Sequence, residues 1–205
     1  MAYQPNDHYA RKAKKEHFAA RSVYKLEEID KRFKLIRQGD KIIDLGCSPG
    51  SWSQYASQKI GNKGRILGLD LTQMKIDLPN AIFVKANILE TDITALLNEY
   101  EMGSVVDAVI SDMAPKTTGV KFTDQCRSLE LCEMALMVAR KHLKPGGFFV
   151  CKIFDGPDVQ HFRADMKKSF RKIEMLKPES TRKESKEFFF IGLDFQAERK
   201  ENEKS

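Results

Sequence analysis

Lys41–Trp52, KIIDLGCSPGSW, is the stretch on which the fold turns. Ile42 and Ile43 are β-branched and lead into Leu45, the pattern of a short buried strand. Asp44 stands at the carboxyl end of that strand. Gly46 to Ser51 are small residues that suit a tight turn, and Trp52 to Lys59 can continue as a helix. A strand, a glycine turn and a helix in that order hold a ligand against free N–H groups at the helix N-terminus. Gly46 and Gly50 stand four apart, so the G-x-G-x-x-G dinucleotide fingerprint is absent.

Working outward, the N-terminal side holds Arg11, Lys12, Lys14 and Lys15 with little apolar content, which predicts a flexible basic arm over 1–20. Val23, Leu26, Ile29 and Phe33 lie on one helical face and predict a helix over 22–33, with Ser22 as N-cap. On the C-terminal side, 65–70, 81–84, 105–112, 148–154, 170–176 and 187–193 read as strands. Helices are predicted over 91–100, 125–142 and 159–169. The stretch 113–124 is long enough for a binding loop. Strands alternating with helices predict an α/β, mostly parallel seven-stranded sheet with helices on both faces. One domain over 21–195 follows, with a charged tail over 196–205. Ligands of such sheets bind at strand carboxyl ends, which brings Asp44, Gly46, Asp70, Asn87 and Asp112 to one edge.

The 205 residues suffice for one domain with a sizeable core. No apolar run approaches a membrane span, and the polar, basic N-terminus is no secretory signal. Cys47, Cys126, Cys132 and Cys151 form no C-x-x-C and have no histidine at metal-ligand spacing. Reduced thiols, no metal site and a cytoplasmic location are expected. The net charge of +6 and pI near 9.0 suit a polyanionic partner, nucleic acid above all.

Single residues carry the chemistry. Asp70 closes the second strand about twenty residues after the turn, where a carboxylate can take both hydroxyls of a ribose. Asn87 ends the third strand, where an amide can read an adenine edge. Trp52 suits either a cofactor wall or the core. Lys152 interrupts the apolar run FFVCKIF, and a lysine is costly to bury unless paired. Asp112, ending the neighbouring strand, can supply the partner carboxylate.

The chain resembles the FtsJ/RrmJ-type ribose 2′-O-methyltransferases over about residues 8 to 195. The resemblance rests on ARSVYKLEEID (20–30), DLGCSPGSWSQY (44–55), SDMAPKTTG (111–119), FVCKIFDG (149–156) and SKEFFFIG (185–192). It implies a Rossmann-like fold that uses S-adenosylmethionine (SAM). It also implies a K-D-K-E catalytic tetrad at Lys25, Asp112, Lys152 and Glu187. SAM contacts are implied at Gly50, Trp52, Asp70 and Asp112, with Asn87 standing where the bacterial enzyme carries an aspartate. The length resembles that of the bacterial enzyme acting on an A-loop uridine of large-subunit ribosomal RNA. A monomer without metal is expected.

The residue types fit that chemistry. A ribose hydroxyl must be aligned with an activated methyl group and must lose one proton. Lys152 acts as general base if neutral, or orients the oxygen if charged; the sequence leaves both open. The arm, the first helix and Arg163, Lys167, Lys168, Arg171, Lys172, Arg182, Lys183 and Lys186 are expected to contact phosphates. A tRNA or cap 2′-O-methyltransferase would carry the same tetrad. A non-catalytic RNA-binding assembly factor would have no use for a buried Lys152 beside acids.

Overall fold

Nearly continuous burial along the central strands is what a sheet covered on both faces demands. The computed structural model describes residues 7–182 and 184–197. Its strands are β1 (Lys41–Leu45), β2 (Arg65–Asp70), β3 (Ala81–Lys85), β4 (Val106–Ser111), β5 (Leu143–Phe154), β6 (Phe170–Leu176) and β7 (Glu187–Phe195). They form one sheet in the order β3-β2-β1-β4-β5-β7-β6. Neighbours from β3 across to β5 pair parallel, and β7 alone runs against its neighbours. The expected mostly parallel α/β sheet is what the chain forms.

Helices α1 (His8–Lys15), α2 (Val23–Phe33) and α3 (Ser51–Ile60) cover one face; α4 (Ile93–Glu99), α5 (Lys121–His142) and α6 (Val159–Met166) cover the other. Side chains alternate along β5, so Phe148 and Val150 pack towards α2 and α3, while Phe149, Cys151 and Ile153 pack towards α5 and α6. Lys152 therefore falls on the α2–α3 side. The chain runs outward from β1 to β3, then returns to β4 on the other flank of β1. That reversal opens a crevice beyond the carboxyl ends of β1 and β4.

The structure corrects the expected flexible arm. From Asp7 onward it is ordered: Tyr9 and Ala13 stand four apart and pack inward while the basic residues face out, and Asp7 caps α1 by accepting from the Ala10 N–H at 3.1 Å. Ser22 stands at the N-cap of α2 but does not cap with its side chain; its hydroxyl meets that of Ser51 at 2.8 Å. Helix α5 begins at Lys121 rather than at 125, because Asp124 gathers the Thr118 and Gly119 N–H groups and ends the loop early. Residues 1–6 of the expected arm, Lys183, and 198–205 of the expected tail lie outside the described residues. Among the described residues no helix is long and apolar enough to cross a membrane.

Candidate active site

The turn after β1 needs its glycines. Gly46 has φ +71° and Gly50 has φ +108°, both in the left-handed region. A Cβ at Gly46 would run into Met113, and one at Gly50 into Ile76. The turn is tied to β2: Gly46 N–H donates to Leu69 O at 2.8 Å, and Ser48 N–H donates to Asp70 Oδ2 at 3.0 Å. Asp70 Oδ1 accepts from Thr72 N–H at 2.6 Å. The Asp70 carboxylate is thus fixed at the carboxyl end of β2, with acceptor capacity left on each oxygen.

A cavity of about 640 Å³ opens against these strand ends. Gly46, Ser48, Asp70, Asn87 and Asp112 supply its polar wall; Leu71, Ile88, Met113, Leu131 and Met134 supply its apolar wall. That size and mixture suit a nucleoside-sized ligand. The Asn87 side chain is partly engaged: Nδ2 donates to Glu90 at 2.8 Å and Oδ1 accepts from Leu89 N–H at 3.2 Å. Gly50 and Trp52 do not line the cavity. Trp52 is buried, donates from Nε1 to Ser22 O at 2.9 Å and packs on Phe189 with ring centroids 5.7 Å apart. Its side chain is a core residue. Its backbone N–H belongs to the first turn of α3, where intrahelical partners are lacking.

Asp44 was placed on this edge by its position in the sequence but not assigned a contact. It is buried; Oδ2 accepts from the Ser53 hydroxyl at 2.6 Å and Oδ1 has no partner. Burial, with the Asp112 and Asp70 charges nearby, pushes its carboxyl up to about 7. An acid two residues before the turn's first glycine was the signal for it.

On the other flank the structure brings the four tetrad candidates to one face. Lys152 is 8% exposed. Its Nζ donates to the Asp112 carbonyl at 2.6 Å and stands 2.9 Å from Asp112 Oδ1, an electrostatic contact beside the directed bond. Across β5 and β7, Lys152 pairs with Phe189, and Phe154 with Glu187. Lys152 and Glu187 are therefore diagonal neighbours on the same side of the sheet. Lys25, from α2, forms an ion pair with Glu187 and lies 5.8 Å from the Phe189 ring centroid. Phe189 is the shared floor of both pairs.

The residues expected to meet phosphates separate. Arg171 and Lys172 open β6 at the edge away from the cavity, paired with Asp194 and Glu174. Lys168 pairs with Asp165. Arg182 and Lys186 lie in the loop that leads into Glu187 at the catalytic edge.

A mostly parallel sheet with one reversed strand carries a glycine turn, a nucleoside-sized cavity and a buried lysine–acid pair at the same edge, the arrangement of a Rossmann-like α/β methyltransferase fold. The chain belongs to the FtsJ-like methyltransferase family, whose model matches residues 18–195. It is 55% identical over 193 residues to the ribosomal RNA large subunit methyltransferase E of Bdellovibrio bacteriovorus, covering 94% of this chain and 98% of that protein. It is 52% identical over 189 residues to the protein of that name from Desulfatibacillum aliphaticivorans, covering 91% and 89%. Among solved structures, a Plasmodium falciparum protein described as a ribosomal RNA methyltransferase superposes with a TM-score of 0.80 at 26% identity, covering 89% of this chain and all of that one.

Proposed function

We propose that the protein methylates the 2′-hydroxyl of an A-loop uridine in large-subunit (23S) ribosomal RNA, in the cytoplasm, with SAM as methyl donor. One observation carries the reaction type. Lys152 is buried and held by Asp112, a residue that lines the nucleoside-sized cavity, and it stands one diagonal step from the Lys25–Glu187 pair. The names of the relatives support ribosomal RNA as substrate.

The residues fit the cofactor. Asp70 would accept from the ribose hydroxyls, and Asn87 would meet the adenine with the acceptor capacity left on its oxygen. Gly50 and Trp52 would act through the backbone: the first turn of α3 presents free N–H groups to a carboxylate. The unpartnered Asp44 Oδ1 suits an ammonium group. When bound, SAM supplies a methyl group activated by a sulfonium. Asp112 sits between this site and Lys152 and so sets the distance between cofactor and lysine.

The chain's own work is on the ribose hydroxyl. One direction around Lys152 Nζ is taken by the Asp112 carbonyl, with the Asp112 carboxylate a charged neighbour at 2.9 Å. A remaining direction would meet the 2′-oxygen. A charged Lys152 would donate along it and orient the oxygen; a neutral one would accept the proton there. The Lys25–Glu187 pair would hold the ribose from the other side, with Phe189 beneath. The ribose O–H bond would break and an O–CH₃ bond form as the methyl's bond to the donor sulfur breaks and leaves a neutral thioether, with the proton passing to Lys152 or to water.

The test is to map 2′-O-methyl groups in RNA from cells with and without the protein. Loss at one A-loop uridine is expected. Loss in tRNA alone would overturn the ribosomal assignment, and no loss anywhere would favour a non-catalytic assembly factor.

A further inference from the structure

Two guanidinium groups converge on one carboxylate beside the catalytic edge. Arg21 and Arg182 both reach Asp7 Oδ2, Arg182 at 3.3 Å. Arg21 also donates to the Ser180 carbonyl, and its guanidinium lies 5.4 Å from the Tyr9 ring centroid. The loop between β6 and β7 is pinned to α2, because Glu28 accepts from the Glu179 and Ser180 N–H groups at 2.6 and 3.0 Å. In that loop the hydroxyls of Ser180 and Thr181 are buried without partners. Arg21 precedes Lys25 by four residues and Arg182 precedes Glu187 by five, so both flank the Lys25–Glu187 pair.

A carboxylate oxygen that accepts from two guanidinium groups at once has the charge and hydrogen-bond pattern of a bound phosphate oxygen. Burial raises the Asp7 carboxyl, but its bonds to Arg21, Ala10 and Arg182 and the Arg21 charge bring it below the ordinary carboxylate value. We propose that Arg21 and Arg182 form a seat for one backbone phosphate of the RNA substrate, which the Asp7 carboxylate occupies in the free protein. The proposal rests on RNA being the substrate. Exchange of one anion for another keeps both guanidiniums paired throughout. The seat's place, between α2 and the loop into β7, is where the backbone beside a nucleotide held at Lys25 and Glu187 would run.

The experiment uses the full chain and a fluorescein-labelled RNA hairpin of arbitrary sequence, with anisotropy read across a salt series. Asp7→Asn removes the charge but keeps an oxygen to cap α1. It should bind the hairpin about fivefold tighter, since one competing charge pair is removed. Arg182→Gln should bind more weakly and lower the salt slope by about one ion. In the Arg182→Gln background, Asp7→Asn should lose most of its gain. SAM affinity should stay the same throughout. Asp7→Asn binding no tighter would overturn the seat, and so would an unchanged slope in Arg182→Gln, which leaves the cap bond from the Ala10 N–H to Asp7 Oδ1 in place. Failure of the unaltered protein to methylate RNA would remove the proposed reaction, while the hairpin affinities would still decide the seat.

Discussion

The two flanks of the catalytic edge treat charge in opposite ways. On the β1–β2–β3 flank, Asp70 and Asn87 face an open cavity, each tied to local backbone and each with acceptor capacity to spare. On the β4–β5–β7 flank, Lys152 meets Asp112 and Lys25 meets Glu187, and these side chains are mostly buried. The first flank is built to gain partners when a ligand arrives. The second is already partnered, and its internal pairing fixes where a reacting oxygen can sit. Asp112 belongs to both.

The contrast breaks most sharply at Lys152. Lys152→Ala should cost about 10²–10⁴-fold in single-turnover methyl transfer, the usual worth of general base catalysis. SAM affinity should survive, because the cavity's polar wall comes from other residues. Lys152→Arg should also fail, since a guanidinium keeps its proton and does not fit a point contact. Near-normal turnover in Lys152→Ala would refute the tetrad. Near-normal turnover in Lys152→Arg alone would leave only the orienting role.

Asp44 sharpens the contrast from beneath the cavity. Its carboxyl is raised to about 7, against an ordinary value of 3.8, chiefly by burial. Between those values the folded state holds a proton that the unfolded state has released. The group's contribution therefore falls as pH rises from about 4 to about 7 and is flat above, by up to roughly 4 kcal/mol at 1.36 kcal/mol per pH unit. Asp44→Asn, whose oxygen can still accept from Ser53, should raise the melting temperature more at pH 8 than at pH 5. It should also weaken SAM binding if Oδ1 meets an ammonium. Equal shifts at both pH values would show that Asp44 is not the buried titrating group.

Asp70 tests the open flank itself. Asp70→Ala should weaken SAM binding by about 1.5–3 kcal/mol, the range for hydrogen bonds to a charged group. Calorimetry on a folded variant would show it. Part of the loss would come through the turn, because Ser48 N–H loses its acceptor. Unchanged affinity would sink the ribose assignment.

The sheet was legible because the β-branched and apolar runs of β1, β4 and β5 are long enough to be read without their neighbours. Lys152 was legible for the same reason: a cation inside FFVCKIF has no local explanation. Its link to Glu187 was not, since it depends on the antiparallel register of β5 and β7, which no short-range pattern encodes. The arm was misread because four basic residues masked the inward pair Tyr9 and Ala13. The phosphate candidates on α6 and β6 looked continuous with Arg182 along the chain. The strand β6 separates them: Arg171 and Lys172 lie at its amino end, and the loop that holds Arg182 begins at its carboxyl end.

Trp52 is the smallest and most discriminating case, because its side chain lies next to both flanks yet serves neither cavity. Its indole N–H donates to Ser22 O at 2.9 Å, and its ring lies against Phe189, the floor under Lys152 and Lys25. Trp52→Phe keeps an aromatic ring against Phe189 and keeps the backbone N–H at the start of α3. It removes the donor to Ser22 and some ring volume. The expected cost is about 1 kcal/mol for the hydrogen bond, seen as a fall of about 2–4 °C in melting temperature. SAM affinity should not change, because the Trp52 side chain does not line the cavity. Turnover should fall only as far as the Phe189 floor shifts. A large loss of SAM affinity with the fold intact would place the indole in the cofactor site after all and blur the division between the flanks. A stability loss alone would assign the side chain to the core, where it ties α3 to the Ser22 carbonyl and to Phe189.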